Sequence, residues 1–362
     1  MLSVRSLLSK QKKKIDSSNF LLMVTVGLFA LMYIVGLIVF HEQGFGKTQT
    51  FLNMLIDNAG LLIVASGMTV VMITGGIDIS VGSVVGLDCM ILAFYMEKMG
   101  MPAGIAILIV LAFGVLFGAF QGWLISYMEL QPFVITLAGL FFCRGLTAII
   151  SSQQIAITKS KFFLALANKN INVGLAIPDK SGEDYLVLIG AYLNRRGKLM
   201  FPFVHPSVII ALITVVIIWW MLKYTRFGRN LFAIGGNEQS ALLMGINVKK
   251  TKFMAYMLEG FLASLGGLVF CLNTTSGFVE QARGFEMEAI SSAVIGGTML
   301  TGGVGTVVGT FFGVLIKATI ESLIRFQGTL SSWWARIVLS AILCFFIVLQ
   351  SVFVIVKNRS RK

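Results

Sequence analysis

Charge is scarce in this sequence: 12% of its 362 residues are Asp, Glu, Lys or Arg, whereas 57% are hydrophobic. Soluble domains carry about 25% charge, so a water-facing surface over most of the chain is excluded. The remaining environment is lipid or other membrane helices. Proline is limited to five residues, while glycine reaches 38, a balance that suits transmembrane helices in close approach. The four cysteines, Cys89, Cys143, Cys271 and Cys344, lie in apolar runs without paired spacing. They read as small hydrophobes, neither a disulfide framework nor a metal site. His41 and His205 are the two histidines and stand far apart at loop edges, so no metal site, catalytic pair or cofactor is expected. The first apolar run follows a basic arm and has no small-residue cleavage signature, so no cleavable leader is expected.

The net charge is +13, and its placement excludes a nucleic-acid partner. Basic residues gather at Lys10 to Lys14, Lys223 to Arg229, Lys249 to Lys252 and Lys357 to Lys362, flanking apolar segments as the positive-inside rule requires. A helix needs roughly 20 apolar residues to cross the hydrocarbon. The expected spans are about 20–40, 52–74, 79–96, 102–128, 132–151, 207–223, 253–272, 287–301, 304–325 and 334–356. These make an all-α polytopic membrane protein with about ten transmembrane helices, some broken by glycine. An even count puts a cytoplasmic basic arm (1–19) and tail (357–362) on one side of a transmembrane domain (20–356). The connector 224–252 is then cytoplasmic and 152–206 external. The external connector carries more Lys and Arg than the rule favours, and a re-entrant or amphipathic piece is expected around Tyr185 to Leu193. Trp333 and Trp334 then mark an outer helix end, and Trp219 and Trp220 an inner one.

Two glycine-rich breaks interrupt the apolar pattern. Thr74 to Ser83 reads TGGIDISVGS, with Asp78 and Ser80 placed to cap the following helix. Ile295 to Thr306 reads IGGTMLTGGVGT, and the run VGSVVG at 81–86 returns as VGTVVG at 304–309. Each break has a plain reading as a capped turn and a functional one as an interrupted element lining a translocation path. On the second reading Asp78, Ser80, Thr298 and Thr301 are path candidates.

Asp88, Arg144, Glu259, Lys317 and Glu321 fall inside apolar spans, where each needs a partner or an aqueous cavity. Lys317 and Glu321 are four apart and suit a structural pair, while Arg144 has no local acid and joins the path candidates. The connector AIGGNEQSALLMGI (233–246) reads as a cap, a short apolar-bearing helix and a glycine stop, a form that fits a docking surface for another subunit. HEQGFGKT (41–48) nearly matches the phosphate-binding loop, but His41 stands where that loop needs glycine and no strand precedes it. ATP would therefore be hydrolysed by a partner chain.

GGIDISVGSVVGL (75–87), ITLAGLFFCRGL (135–146), TRFGRNLFAIGGNEQSALLMGINV (225–248) and EMEAISSAVIGGTMLTGGVGTVVGT (286–310) resemble the permeases of ribose, xylose and galactose ABC importers. FQGTLSSWWARI (326–337) looks like the galactofuranose-type permease. The resemblance implies an ABC-importer permease fold that imports a monosaccharide and performs no covalent chemistry. It also implies a cytoplasmic ABC ATPase, an external sugar-binding protein and a second permease chain, identical or related. By the same likeness Gly235, Gly236, Asn237, Ala241 and Gly245 would belong to the helix that couples to the ATPase. Asp88 and Glu259 depart from the uncharged positions expected of such a permease, and 152–206 is longer than usual. The alternative function is an ion-coupled secondary transporter using Asp78, Asp88 or Glu259. An intramembrane enzyme is disfavoured, because the chain has no paired-His motif or nucleophile–base set.

Overall fold

A computed structural model describes residues 17–173, 176–178, 185–187, 192–193, 199–329, 331 and 333–359. Residues 1–16 of the basic arm, 360–362 of the tail, and Lys180, Arg195, Arg196 and Lys198 of the connector lie outside them.

Every expected span contains a helix, and the breaks fall at glycine, proline or asparagine. Helix α1 is Ser17–Val39. Thr48–Asp57 (α2) and Ala59–Ile73 (α3) form a pair bent by 56° at Asn58. Val81–Ala93 (α4) continues into a π-helical turn, Phe94–Lys98. Ala103–Ser126 (α5) follows Pro102, and Pro132–Ile150 (α6) begins on proline, where the missing amide costs no intrahelical bond. Pro206–Tyr224 (α8) starts the same way, with His205 accepting from the Ser207 amide. Arg226–Gly236 (α9) and Glu238–Leu243 (α10) make up the middle connector. Val248–Thr274 (α11), Phe285–Ile295 (α12), Val307–Gln327 (α13) and Trp333–Arg359 (α14) complete the bundle.

Six helices are long and apolar enough to cross a membrane, or seven if the bent α2–α3 pair is one span, among the described residues. The expected span at 79–96 is α-helical only over Val81–Ala93, with the π-helical turn beyond it, and that at 287–301 is shorter than the hydropathy suggested. The second ends at Ile295, where Gly296 lies against the Gly309 and Thr310 backbone and Gly297 takes a φ of +91°. An 11-residue helix rises about 16 Å, half of the roughly 30 Å hydrocarbon core.

The core is made of helices buried on every side. All residues of α3 and of α4 are buried, which is why neither has an amphipathic pattern. Helix α11 packs against α3, α4 and α5. Its approach to α5 depends on missing side chains: a Cβ on Gly114, Gly118 or Gly122 of α5 would collide with Ser264, Gly260 or Tyr256 and its neighbours on α11. Helices α1, α5, α6 and α8 form the outer layer and expose Leu31, Ile38, Leu108, Leu116, Phe141 and Ile149, as lipid-facing helices do.

The connector at 152–206 differs from expectation. Tyr185–Val187 and Tyr192–Leu193 are strands, paired with Ala176–Pro178 and Leu199–Met200, so no amphipathic helix lies there among the described residues. Ile155–Ala156 pairs with Ser276–Gly277, and Ile171–Asn172 with Phe203–Val204. A helix at Lys161–Ala167 (α7) presses its end onto His205, whose Nε2 lies 2.6 Å from the Ala167 carbonyl. The HEQGFGKT stretch is a turn after α1, with Phe45 buried among Tyr33, Phe40 and Phe326.

Candidate functional site

Three glycine pairs, distant in sequence, meet at one point. Gly75-Gly76 follows α3, Gly235-Gly236 ends α9, and Gly302-Gly303 lies in the loop after α12. The Gly303 amide donates to the Ile73 carbonyl at 2.9 Å. A Cβ on Gly235 would collide with that carbonyl and with the Gly303 nitrogen. A Cβ on Gly302 would meet Gly75 and Gly235, and one on Gly303 would meet Gly236. Gly302 and Gly303 also adopt φ values of +82° and +74°, where an L side chain is strained. Both interrupted elements therefore touch the connector directly.

From this junction α9 leads into α10. Asn237 caps α10 by accepting from the Ser240 amide at 2.7 Å, and Gly245, at φ +78°, ends it, as the sequence indicated. Ala241 does not face outward: it is buried with Ile234 and Val248 and anchors the helix. The outward surface is Leu242, Leu243 and Met244, which are 63%, 87% and 68% exposed. A Cβ on Gly236 or Gly245 would meet nothing within 4 Å, so the tight position of the connector is Gly235.

Asp78 and Ser80 do not cap α4. Asp78 Oδ1 accepts from the Ser80 amide at 2.8 Å and the Ser80 hydroxyl at 2.6 Å, closing a local turn that bends the chain into α4. Gln121 of α5 reaches Ser80 Oγ at 3.2 Å. Thr301 is exposed at the glycine junction, and its carbonyl faces Gly75. Thr298 is fully buried behind it, beside Gly305. Arg144 stands apart from this group. Its Nη1 donates to the carbonyls of Val279 and Gln281, at 2.9 and 2.6 Å, and so holds the loop before α12.

Lys317 pairs with Glu321 at 2.9 Å as expected, and also with Glu288 of α12 at 3.1 Å and Asn58 at 3.0 Å. Three acceptors match the three N–H groups of an ammonium. Asp88 and Glu259, by contrast, are fully buried, and neither carboxylate has a hydrogen-bond partner.

A cavity of about 400 Å³ opens beside the junction, between Gly75-Gly76, the α5–α6 turn, α10 and the start of α11. Its rim carries the ion pairs Lys249–Glu129 (2.8 Å) and Lys252–Glu238 (2.7 Å). The hydrogen bond and charge of Lys249 hold the Glu129 carboxyl below its usual pKa range. At the far end of the molecule Glu97 accepts from the Thr158 and Lys159 amides and the Thr158 hydroxyl. These bonds, foremost those of Thr158, lower its pKa to about 2.

Sequence reasoning found each glycine pair but not that they meet. It also missed Ile73, Gln121, Tyr256 and Asn58, whose roles come from neighbours more than 40 residues away in each case.

Residues 50–347 match the family described as branched-chain amino acid transport system / permease component. The chain is 42% identical to the inner membrane ABC transporter permease protein YjfF of Escherichia coli K12, over 92% of each chain. It is 33% identical to the fructose import permease protein FruG of Bifidobacterium longum, over 94% of this chain and 93% of that one. Identity to the ribose import permease protein RbsC of Bacillus subtilis is 32%, over 90% and 91%. No solved structure matches the chain.

Proposed function

The chain belongs to the branched-chain amino acid transport system / permease component family, beside permeases of sugar ABC importers, and from that premise we propose that it imports a monosaccharide. It acts as the multi-pass inner-membrane subunit of an ATP-binding-cassette importer. A cytoplasmic ATPase supplies the energy, an external binding protein delivers the sugar, and a second permease chain, identical or related, completes the pathway. In this reading the chain has about ten membrane-embedded helices, with both termini and the 224–252 segment in the cytoplasm. No covalent chemistry takes place in this chain.

The observation that carries this reading is the junction of Gly75-Gly76, Gly235-Gly236 and Gly302-Gly303. A coupling mechanism needs a rigid connection between the ATPase-facing surface and the path, because packed cores shift between discrete arrangements without deforming smoothly. Leu242, Leu243 and Met244 supply an apolar docking face, and α9 ends in backbone contact with both interrupted elements. Asp78, Ser80 and Thr301, joined by Gln121 through its contact with Ser80, are our candidates for lining the path.

The test is uptake into proteoliposomes. Sugar should accumulate only when the ATPase, the binding protein and ATP accompany the permease. Uptake by this chain alone, driven by a proton or sodium gradient, would overturn the reading in favour of a secondary transporter using Asp78, Asp88 or Glu259.

A further inference from the structure

The 400 Å³ cavity beside the glycine junction has a polar floor that the transport reading leaves unused. Tyr256 and Ser126 line it, 1% and 4% exposed, and neither hydroxyl has a hydrogen-bond partner. At roughly 30 Å³ per water, the cavity has room for solvent that would satisfy both. One helical turn beyond Tyr256 on α11 stands Glu259, which is fully buried with both carboxylate oxygens unpartnered. Its Oε2 fills the notch left by Gly67 of α3, and Gly76 leaves the corresponding space for the Tyr256 hydroxyl.

Among the described residues no cation acts on Glu259. Helices α3 and α5, which pack on this part of α11, contain no titratable residue. Helix α4 brings Asp88 and Cys89, and the preceding loop brings Asp78, the carboxylate that acts on Glu259 electrostatically. The nearest lysines at the cavity, Lys249 and Lys252, are already paired with Glu129 and Glu238 at the rim. An ionised carboxylate between unpartnered apolar walls is far less stable than its protonated form.

We propose that Glu259 is a proton-binding site within the permease, charged and discharged through the Tyr256-floored cavity on the coupling face. The site takes a proton from water in the cavity and returns it by the same route. Ionised, Glu259 would place a negative charge between α3 and α11, beside Asp78, so its protonation favours the closed packing of these helices. The inference goes beyond sugar transport and does not depend on which sugar moves, or in which direction.

Infrared spectroscopy of the full-length permease in lipid nanodiscs tests it. At neutral pH the carbonyl stretch of a protonated carboxylic acid should be present and should shift after transfer to D2O. Part of that intensity should disappear in Glu259→Gln, return in Glu259→Asp, and persist in Asp88→Asn. Filling the cavity with Ser126→Trp should slow the deuterium shift. Absence of the band in the wild-type spectrum would overturn the proposal without any variant. A band unchanged by Glu259→Gln would overturn the assignment, and one that never shifts in D2O would overturn the inlet.

Discussion

The amide of Gly303 donates to the carbonyl of Ile73 at 2.9 Å, fastening the loop after α12 to the last turn of α3. Gly235 is pressed against the same carbonyl, so the α9 connector shares this contact point.

Substitution at the junction should separate tight from open glycines. Gly235→Ala and Gly303→Ala force backbone shifts, and overpacking of this kind costs about 1–3 kcal/mol. Both should reduce sugar uptake per ATP hydrolysed in proteoliposomes. Gly236→Ala, which meets open space, should leave that ratio near wild type. Equal effects at Gly235 and Gly236 would contradict a mechanical role for the junction.

Asn237→Ala removes the side-chain acceptor at the start of α10. Loss of such a cap costs about 1 kcal/mol, so α10 should fray. Affinity for the ATPase partner, measured by titration in detergent, should fall while the melting temperature of the permease changes little.

Lys317→Met should destabilise the bundle itself. The side chain is 11% exposed and joins Glu288, Glu321 and Asn58. Removing one member of a buried ion pair costs roughly 3–5 kcal/mol, because it leaves uncompensated charge. A marked drop in thermal stability in detergent is expected, with partial recovery when Glu288→Gln is added.

Glu97 anchors the connector near Thr158 and Lys159, and its folded pKa is about 2 against an ordinary 4.5. Because the folded value is depressed, the anchoring is complete above about pH 4.5 and disappears as pH falls through about 2. Amide exchange at Thr158 and Lys159 should be slow at neutral pH and fast in Glu97→Gln. An unchanged exchange rate in that variant would rule out the anchor.

Much of this architecture is visible in single segments. The glycine pairs, the capped helix at 238–243 and the Lys317–Glu321 pair are local patterns, and the helices form where the apolar runs stand. Which face of the 238–243 helix Ala241 occupies was not legible, because a six-residue helix is too short for its periodicity to fix a buried face. Arg144 pairs with carbonyls more than 130 residues away, which no local pattern reveals. Asp78 was expected to cap α4 and instead closes its own turn with Ser80. Both geometries use the same residue types.

The sequence by itself determined that this is a helical membrane protein with glycine-broken elements and a short capped helix in the 224–252 connector. Its low charge and long apolar runs leave lipid as the solvent, and lipid offers backbone groups no partner, so they must be satisfied within each helix. Only the tertiary structure decided which glycines matter, because a missing side chain acquires meaning from the backbone that occupies its place. It likewise decided that Glu259 is enclosed without a partner, since the groups that do or do not surround it belong to other helices.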